Sequence, residues 1–406
     1  MSARLLLSCG EASGDLYAGA LVRQLRTIDA AVDVCGLGGP QLAAAGGRLI
    51  VDYRRLAATG VTEILPRLGD YLAAMRSLVA VAERERPDAL VVVDFPDFNF
   101  RLARRVRRLG IPVVYYISPQ IWAWRPGRLK TIRAFADRVL VIFPFEVAMY
   151  QAGGVPVEFV GHPLVELTRV GGTRAAFLSE HGLDPAAPTV AILPGSRANE
   201  VSRILPDLLA AADRIRAAVP GAQFVIARAP HLDDALFVTN RSDHGLTATG
   251  QTVQGQTMVR PDQVRPWSGR AGFALVQGDT DAVLASADVA LTASGTATVQ
   301  AALHDTPMVV VYRLSPMTYR LARRLVRVPA IAMVNLIAGE PIVPELVQHA
   351  FTPDAVAREA ISLLTDPQRV AQVRAGLARV RERLGGAGAS RRAAESILRL
   401  VSERSS

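Results

Sequence analysis

Thr189-Val190-Ala191-Ile192-Leu193-Pro194-Gly195-Ser196-Arg197-Ala198-Asn199-Glu200-Val201 joins three local signals. An apolar run ends in a Pro-Gly-Ser turn. An arginine follows at once, and a helical segment starts behind it. A strand, turn and helix of this kind aims backbone N–H groups and one guanidinium at an anion. On both sides of this stretch apolar runs alternate with helical patterns, and a second such turn stands at Ala293-Ser294-Gly295-Thr296. That alternation marks parallel α/β sheets. The fold class expected is therefore α/β, with two Rossmann-like domains facing across a cleft. The boundaries expected are 1–167, a linker over 168–188, a second domain over 189–352, and C-terminal helices over 353–406. Those helices would pack back on the first domain or on a partner subunit.

Composition narrows the chemistry. Of 406 residues, 50% are hydrophobic, enough for two cores, and the formal net charge is +9. Cys9 and Cys35 lie in apolar strand-like runs and are expected as buried thiols in a reducing compartment. No secretory signal or membrane-spanning run is visible. Lys130 is the lone lysine among 46 basic residues. It has no Gly-rich loop before it, which excludes a P-loop, and no motif supports a Schiff base. An arginine-rich positive balance suits a nucleotide or an anionic lipid surface. Without zinc-finger or RNA-binding spacing, nucleic acid is not an expected partner.

In the first half, the strand Arg4–Ser8 ends in Cys9-Gly10-Glu11-Ala12-Ser13-Gly14-Asp15. Two glycines there permit close approach of a ligand, or serve the turn alone; Ser13 or Asp15 could cap the next helix. Residues 70–85 form an apolar helix, either core or membrane-touching. Ala89–Val93 is apolar throughout and ends in Asp94-Phe95-Pro96-Asp97-Phe98-Asn99. Ligands of α/β sheets bind at strand carboxyl ends, so Asp94 is the general-base candidate and Asp97 a helix cap. Ser118-Pro119-Gln120-Ile121-Trp122-Ala123-Trp124-Arg125 follows the next strand and serves packing or a pocket mouth. His162, in Gly161-His162-Pro163, has no metal-site partners and is expected as a hydrogen-bonding loop residue.

In the second half, Arg197 can fork onto a phosphate, with Glu200 as its partner or a cap. The pattern breaks down over 231–270, where an irregular surface insertion is expected. A strand then ends at Gln277. Ser294, Gly295 and Thr296 open a helix whose N-terminus suits a diphosphate, and Gln300 lies one turn in, within reach of a sugar hydroxyl. Residues 316–328 carry Arg320, Arg323, Arg324 and Arg327 beside Leu321 and Leu325, a lipid-facing or solvated helix. Ala332–Gly339 is expected as a strand and turn.

A carboxylate that deprotonates a hydroxyl, with a cationic clamp for a departing nucleoside diphosphate, describes glycosyl transfer with inversion. The chain resembles the lipid-A-disaccharide synthases, inverting glycosyltransferases of the GT-B class. The likeness is carried, in order, by Gly10–Asp15, Asp94–Asn99, Ser118–Arg125, Phe143-Pro144-Phe145-Glu146, Gly161–Pro163, Leu193–Arg197, Ala293–Thr296, Met333-Val334-Asn335 and Pro344-Glu345-Leu346. The resemblance implies UDP-2,3-diacylglucosamine as donor and 2,3-diacylglucosamine 1-phosphate as acceptor, joined by a β-1′,6 bond. It implies Asp94 as base, and Gly195, Ser196, Arg197, Ser294, Gly295 and Thr296 near the diphosphate. Asn335 and Glu345 would line the donor side. Glu11, Ser13, Gly14, Asp15, Asp97, Asn99, Trp124, Arg125, His162 and Gln277 complete the cleft candidates. No metal or other cofactor is expected. The implied setting is the cytoplasmic face of the inner membrane of a Gram-negative bacterium, and the implied assembly a homodimer with exchanged C-termini. Two features depart from the family: Gln300 stands where a glutamate is usual, and 231–270 is longer than expected. Another GT-B UDP-sugar enzyme, such as an epimerase, and a non-catalytic lipid-surface module are the alternatives.

Overall fold

The computed structural model describes residues 2–56, 64–119, 121, 127–169, 171–237, 271–314 and 330–405, without the side chains of 64–68 and 405. Trp124, Arg125, the basic stretch 316–328 and residues 238–270 of the expected insertion lie outside the described residues.

The described residues fall into two compact units, 2–167 with 381–405 and 168–314 with 330–380. The first holds strands β1 (Arg4–Cys9), β2 (Asp33–Gly38), β3 (Arg48–Asp52), β4 (Ala89–Val93), β5 (Val113–Tyr116), β6 (Arg138–Val141) and β7 (Val157–Phe159). They lie in the order β3-β2-β1-β4-β5-β6-β7. The second unit holds β8 (Thr189–Leu193), β9 (Gln223–Arg228), β10 (Phe273–Gln277), β11 (Val289–Ala293), β12 (Met308–Tyr312) and β13 (Glu345–Val347), in the order β10-β9-β8-β11-β12-β13. Every pairing among them is parallel. The central strands explain why. Ala89 to Val93 and Val190 to Ile192 are fully buried, as strands covered by helices on both faces must be. In each sheet the strand order reverses once, between β1 and β4 and between β8 and β11. Helices leave opposite faces at that point and open a crevice beyond the strand carboxyl ends.

Helix Ile64–Glu85 turns one face of residues 70–85 into the protein. Ala74, Met75, Leu78, Val81 and Ala82 are buried in the first core, while Leu72 stays exposed. Cys9 and Cys35 are buried and unpaired, and burial pushes both thiols up in pKa, away from reactivity.

The structure differs from the sequence expectation in three places. Met333–Ala338 is a helix, where a strand and turn were expected; Gly339, at φ +72°, ends it in the left-handed conformation. The apolar run is too short for its period to separate helix from strand. The expected linker folds with the second unit, where the Arg174 guanidinium donates to the Asp288 carboxylate and to Thr189 Oγ1. Finally, helix Pro353–Thr365 packs on helix Ala198–Ala218, so the chain returns to the first unit near residue 381 and not at 353. The returning helix, Ala389–Ser405, lies against helix Ala12–Ile28. Glu166 anchors its start by accepting the N–H groups of Gly388 (2.7 Å) and Ser390 (2.9 Å).

Candidate active site

In the first unit, Cys9 of β1 pairs with Val93 of β4, so Gly10 and Asp94 leave the sheet side by side. Asp94 (φ +44°) and Phe95 (φ +48°) are both left-handed. Such a conformation costs a non-glycine residue about 1–3 kcal/mol and persists only where its surroundings hold it. Here Asp94 N–H donates to Ile117 O (3.1 Å), and Asp94 O accepts from Asn99 Nδ2 (2.7 Å) and the Tyr115 hydroxyl (3.0 Å). The Phe95 ring stacks on Phe98 and covers Gly10 so closely that a Cβ there would come within 2.2 Å of it. At about 0.5–1.5 kcal/mol per hydrogen bond, with the apolar contact added, these interactions match the strain. The result is a half-buried carboxylate fixed at the end of a central strand.

Several expected ligand contacts are instead parts of this frame. Asn99 is fully buried: its Oδ1 accepts from Ser8 Oγ (2.6 Å), and its Nδ2 also reaches Ser8 O and Val93 O. It clamps β1 to β4 beneath Asp94. The buried Asp15 carboxylate accepts the N–H groups of Gly39 (2.7 Å), Gln41 (2.9 Å) and Leu42 (3.1 Å), fastening the turn after β2. Gly14 is buried against Cys9, Glu11 is the exposed N-cap residue of helix Ala12–Ile28, and Ser13 is half-buried in its first turn. Asp97 is exposed in the first turn of helix Pro96–Arg108 and pairs with Arg128 at 2.8 Å. His162 is buried, and its Nδ1 accepts the Leu164 N–H (3.2 Å). Burial lowers its pKa from 6.5 to about 3, so it is neutral at working pH. Its folded pKa lies below the unfolded one. Its share of stability is therefore whole above pH 6.5 and is lost as pH falls toward 3.

In the second unit, Gly195 takes φ +124° and would clash with the Glu200 carboxylate if it carried a Cβ, at 2.7 Å. Glu200 accepts Ser196 N–H (3.3 Å) and pairs with Arg197 (3.4 Å), while His231 Nε2 bonds Ser196 O (2.8 Å). The turn is thus shaped from within, and the Arg197 side chain stays 59% exposed at the start of helix Ala198–Ala218. Across the reversal, Gly295 caps helix Thr296–Leu303 with no side chain, and the Thr298 N–H and hydroxyl turn back onto Gly295 O (3.1 and 2.8 Å), so the helix start has only the N–H groups ahead of Thr298 to offer a ligand. Ser294 Oγ donates to Ile331 O (3.0 Å). Asn335 and Glu345, expected along the donor, spend their polar atoms on the protein. Glu345 accepts from Ile331 N (2.8 Å), Ala332 N (3.0 Å) and Asn335 Nδ2 (2.7 Å). Asn335 Oδ1 accepts from Ile342 N and Val343 N. They hold the loop that holds Ser294. Gln277 is exposed and donates to Pro230 O (3.3 Å).

Gln300 donates its Nε2 to Asp281 Oδ1 (3.0 Å), which His304 Nε2 also approaches at 3.0 Å. The sequence did not single out Asp281, because nothing local ties it to a residue on the next helix. Gln300→Glu would set two carboxylates in contact in a half-buried place. The expected result is a Tm lower by about 2–4 °C, restored in the Gln300→Glu/Asp281→Asn double variant, as read by thermal denaturation.

The family model for lipid-A-disaccharide synthetase (LpxB) matches residues 5–259 and 270–399. The chain belongs to the lipid-A-disaccharide synthetase family. It is 40% identical over 398 residues to a lipid-A-disaccharide synthase of Myxococcus xanthus (strain DK1622), covering 98% of this chain and 97% of that one. It is 43% identical over 396 residues to the enzyme of Anaeromyxobacter dehalogenans (strain 2CP-C), covering 97% of each. Among solved structures, the UDP-GlcNAc 2-epimerase from Neisseria meningitidis bound to UDP-GlcNAc superposes with a TM-score of 0.66 at 12% identity, over 98% of this chain and 100% of that one. At that identity the likeness speaks for the fold alone. The two parallel α/β units are of the GT-B class, and family membership makes the chain a glycosyltransferase.

Proposed function

We propose that this chain transfers 2,3-diacylglucosamine from UDP to the 6-hydroxyl of 2,3-diacylglucosamine 1-phosphate. The observation that carries the proposal is the match to lipid-A-disaccharide synthases along nearly the whole chain. The strained, fixed carboxylate of Asp94, the exposed Arg197 side chain and the helix start at Gly295, which no side chain caps, support it. Asp94 takes the proton of the acceptor 6-hydroxyl as its oxygen attacks the anomeric carbon. The bond to UDP breaks on the opposite face, so configuration inverts and a β-1′,6 linkage forms. Arg197 and the N–H groups at Gly295–Thr296 meet the charge that develops on the departing diphosphate.

In this proposal the cation is supplied by the protein and no metal takes part. Among the described residues no group of three or more His, Cys, Asp or Glu could hold one. Acylated substrates and a net charge of +9 favour work at the anionic cytoplasmic face of the inner membrane. Among the described residues no helix is long and apolar enough to cross it. The helix Ala389–Ser405 that seats on the first unit is the segment a homodimer would exchange.

Both substrates in detergent micelles test the reaction, with disaccharide 1-phosphate and UDP read by mass spectrometry. Acceptor-dependent disaccharide, formed equally with EDTA present, is the expected result. UDP without disaccharide would overturn the transfer, an epimerised UDP-sugar would favour the epimerase alternative, and loss of product with EDTA would overturn the metal-free step.

A further inference from the structure

Tyr17 and His162 are buried polar side chains of the first unit for which the mechanism above has no use. They are 5% and 3% exposed. Tyr17 lies in the second turn of helix Ala12–Ile28, and His162 follows β7. Their rings meet edge to face with centroids 6.1 Å apart, and Phe143 flanks the imidazole at 5.4 Å. Because His162 Nδ1 accepts the Leu164 N–H, the ring proton sits on Nε2. Neither that Nε2–H nor the Tyr17 hydroxyl has a hydrogen-bond partner among the described residues. Neither belongs with the sealed, unpartnered hydroxyls of this unit, those of Tyr116, Tyr150 and Ser390. Two donors without acceptors, at the rim of a core, call for an acceptor from outside.

We infer that Tyr17 and His162 form a two-donor subsite that binds an uncharged oxygen of the acceptor sugar beside Asp94. The assignment rests on the glycosyl-transfer reading. Asp94 is close enough for its charge to act on the Tyr17 hydroxyl. Burial keeps the phenol protonated and the imidazole neutral, so both remain donors through the working range. A phosphate is the wrong guest: a second anion beside Asp94 would be repelled. A neutral hydroxyl or acyl carbonyl fits. The acceptor offers its 4-hydroxyl, next to the reacting 6-position, and the carbonyls of its two acyl chains. Held there, the sugar is oriented with its 6-hydroxyl toward the base.

His162 allows a clean separation of binding from packing. His162→Asn keeps an acceptor for the Leu164 N–H but loses the distal donor. His162→Gln extends an amide N–H to about the Nε2 position. Tyr17→Phe removes the other donor. Steady-state kinetics of disaccharide formation, with Tm and UDP affinity measured on the same proteins, is the test. The Asn and Phe variants should raise the acceptor KM about 3- to 10-fold, the cost of one neutral hydrogen bond each, with donor KM and UDP affinity unchanged. The Gln variant should recover most of the loss. A 4-deoxy acceptor separates the two sources. A penalty in the wild type that vanishes in the variants names the hydroxyl, and one that persists names an acyl carbonyl. Unchanged acceptor KM in the Asn and Phe variants overturns the subsite. So do equal rises in both KM values, or equal losses of Tm and activity in the Asn and Gln variants. Absence of disaccharide from the wild type would instead refute the transfer reading, before any variant is compared.

Discussion

Asp94→Asn is expected to lower kcat for disaccharide formation by about 10²–10⁴-fold while leaving UDP affinity and Tm near those of the parent, the usual worth of a positioned general base. The substitution suits the site. Asparagine tolerates the left-handed backbone that Asp94 adopts at φ +44°, and its main chain can keep the bonds to Ile117, Asn99 and Tyr115. The proton-accepting charge is removed at nearly constant shape. A loss of activity accompanied by a large fall in Tm would mean that the frame had failed, and Asn99→Ala gives that pattern for comparison. Full activity in Asp94→Asn would take the base role from Asp94. The carboxylate would then serve only to shape the turn.

Arg197→Ala is expected to cost about 10-fold or more in kcat/KM, with UDP affinity falling in parallel. A charge-assisted hydrogen bond is worth about 1.5–3 kcal/mol. The lower end applies because the side chain starts 59% exposed and must be ordered when it binds. The turn itself should survive, since Glu200 still accepts Ser196 N–H and His231 still bonds Ser196 O. Arg197→Lys separates charge from geometry. A partial loss would show that the forked guanidinium matters, whereas parent-like kinetics would reduce the role to a point charge. UDP affinity unchanged in Arg197→Ala, by calorimetry, would place the diphosphate elsewhere.

The strand-end turns that carry both residues were legible in the sequence because their signal is local. An apolar strand, a turn and a helix start lie within about a dozen residues, and the parallel α/β pattern says that a ligand meets the chain there. The structure puts both turns of each unit at the single point where its strand order reverses. That adjacency is set by the pairing of β1 with β4 and of β8 with β11, which no short stretch encodes.

The other candidates divide for a physical reason. Asp15, Asn99, Asn335 and Glu345 are polar residues in or near ligand-facing turns, and by type they are as fit to hold a substrate as to hold the chain. What decides is where their partners lie. Asn99 meets Ser8 across 91 positions, and Asp15 meets Gly39 across 24. Satisfied within the protein, they stiffen the turns instead of lining them. Tyr17 and His162 are the converse case. Tyr17 hides among the apolar positions of its helix and His162 carries no motif partner, yet folding brings them together and leaves their donors without acceptors. The sequence alone determined two parallel α/β halves, where their strand-end turns fall, and the family. These follow from local pattern and residue type. The tertiary structure alone decided which polar groups are clamps and which remain free to bind, because satisfaction of a buried hydrogen bond depends on partners distant in the chain.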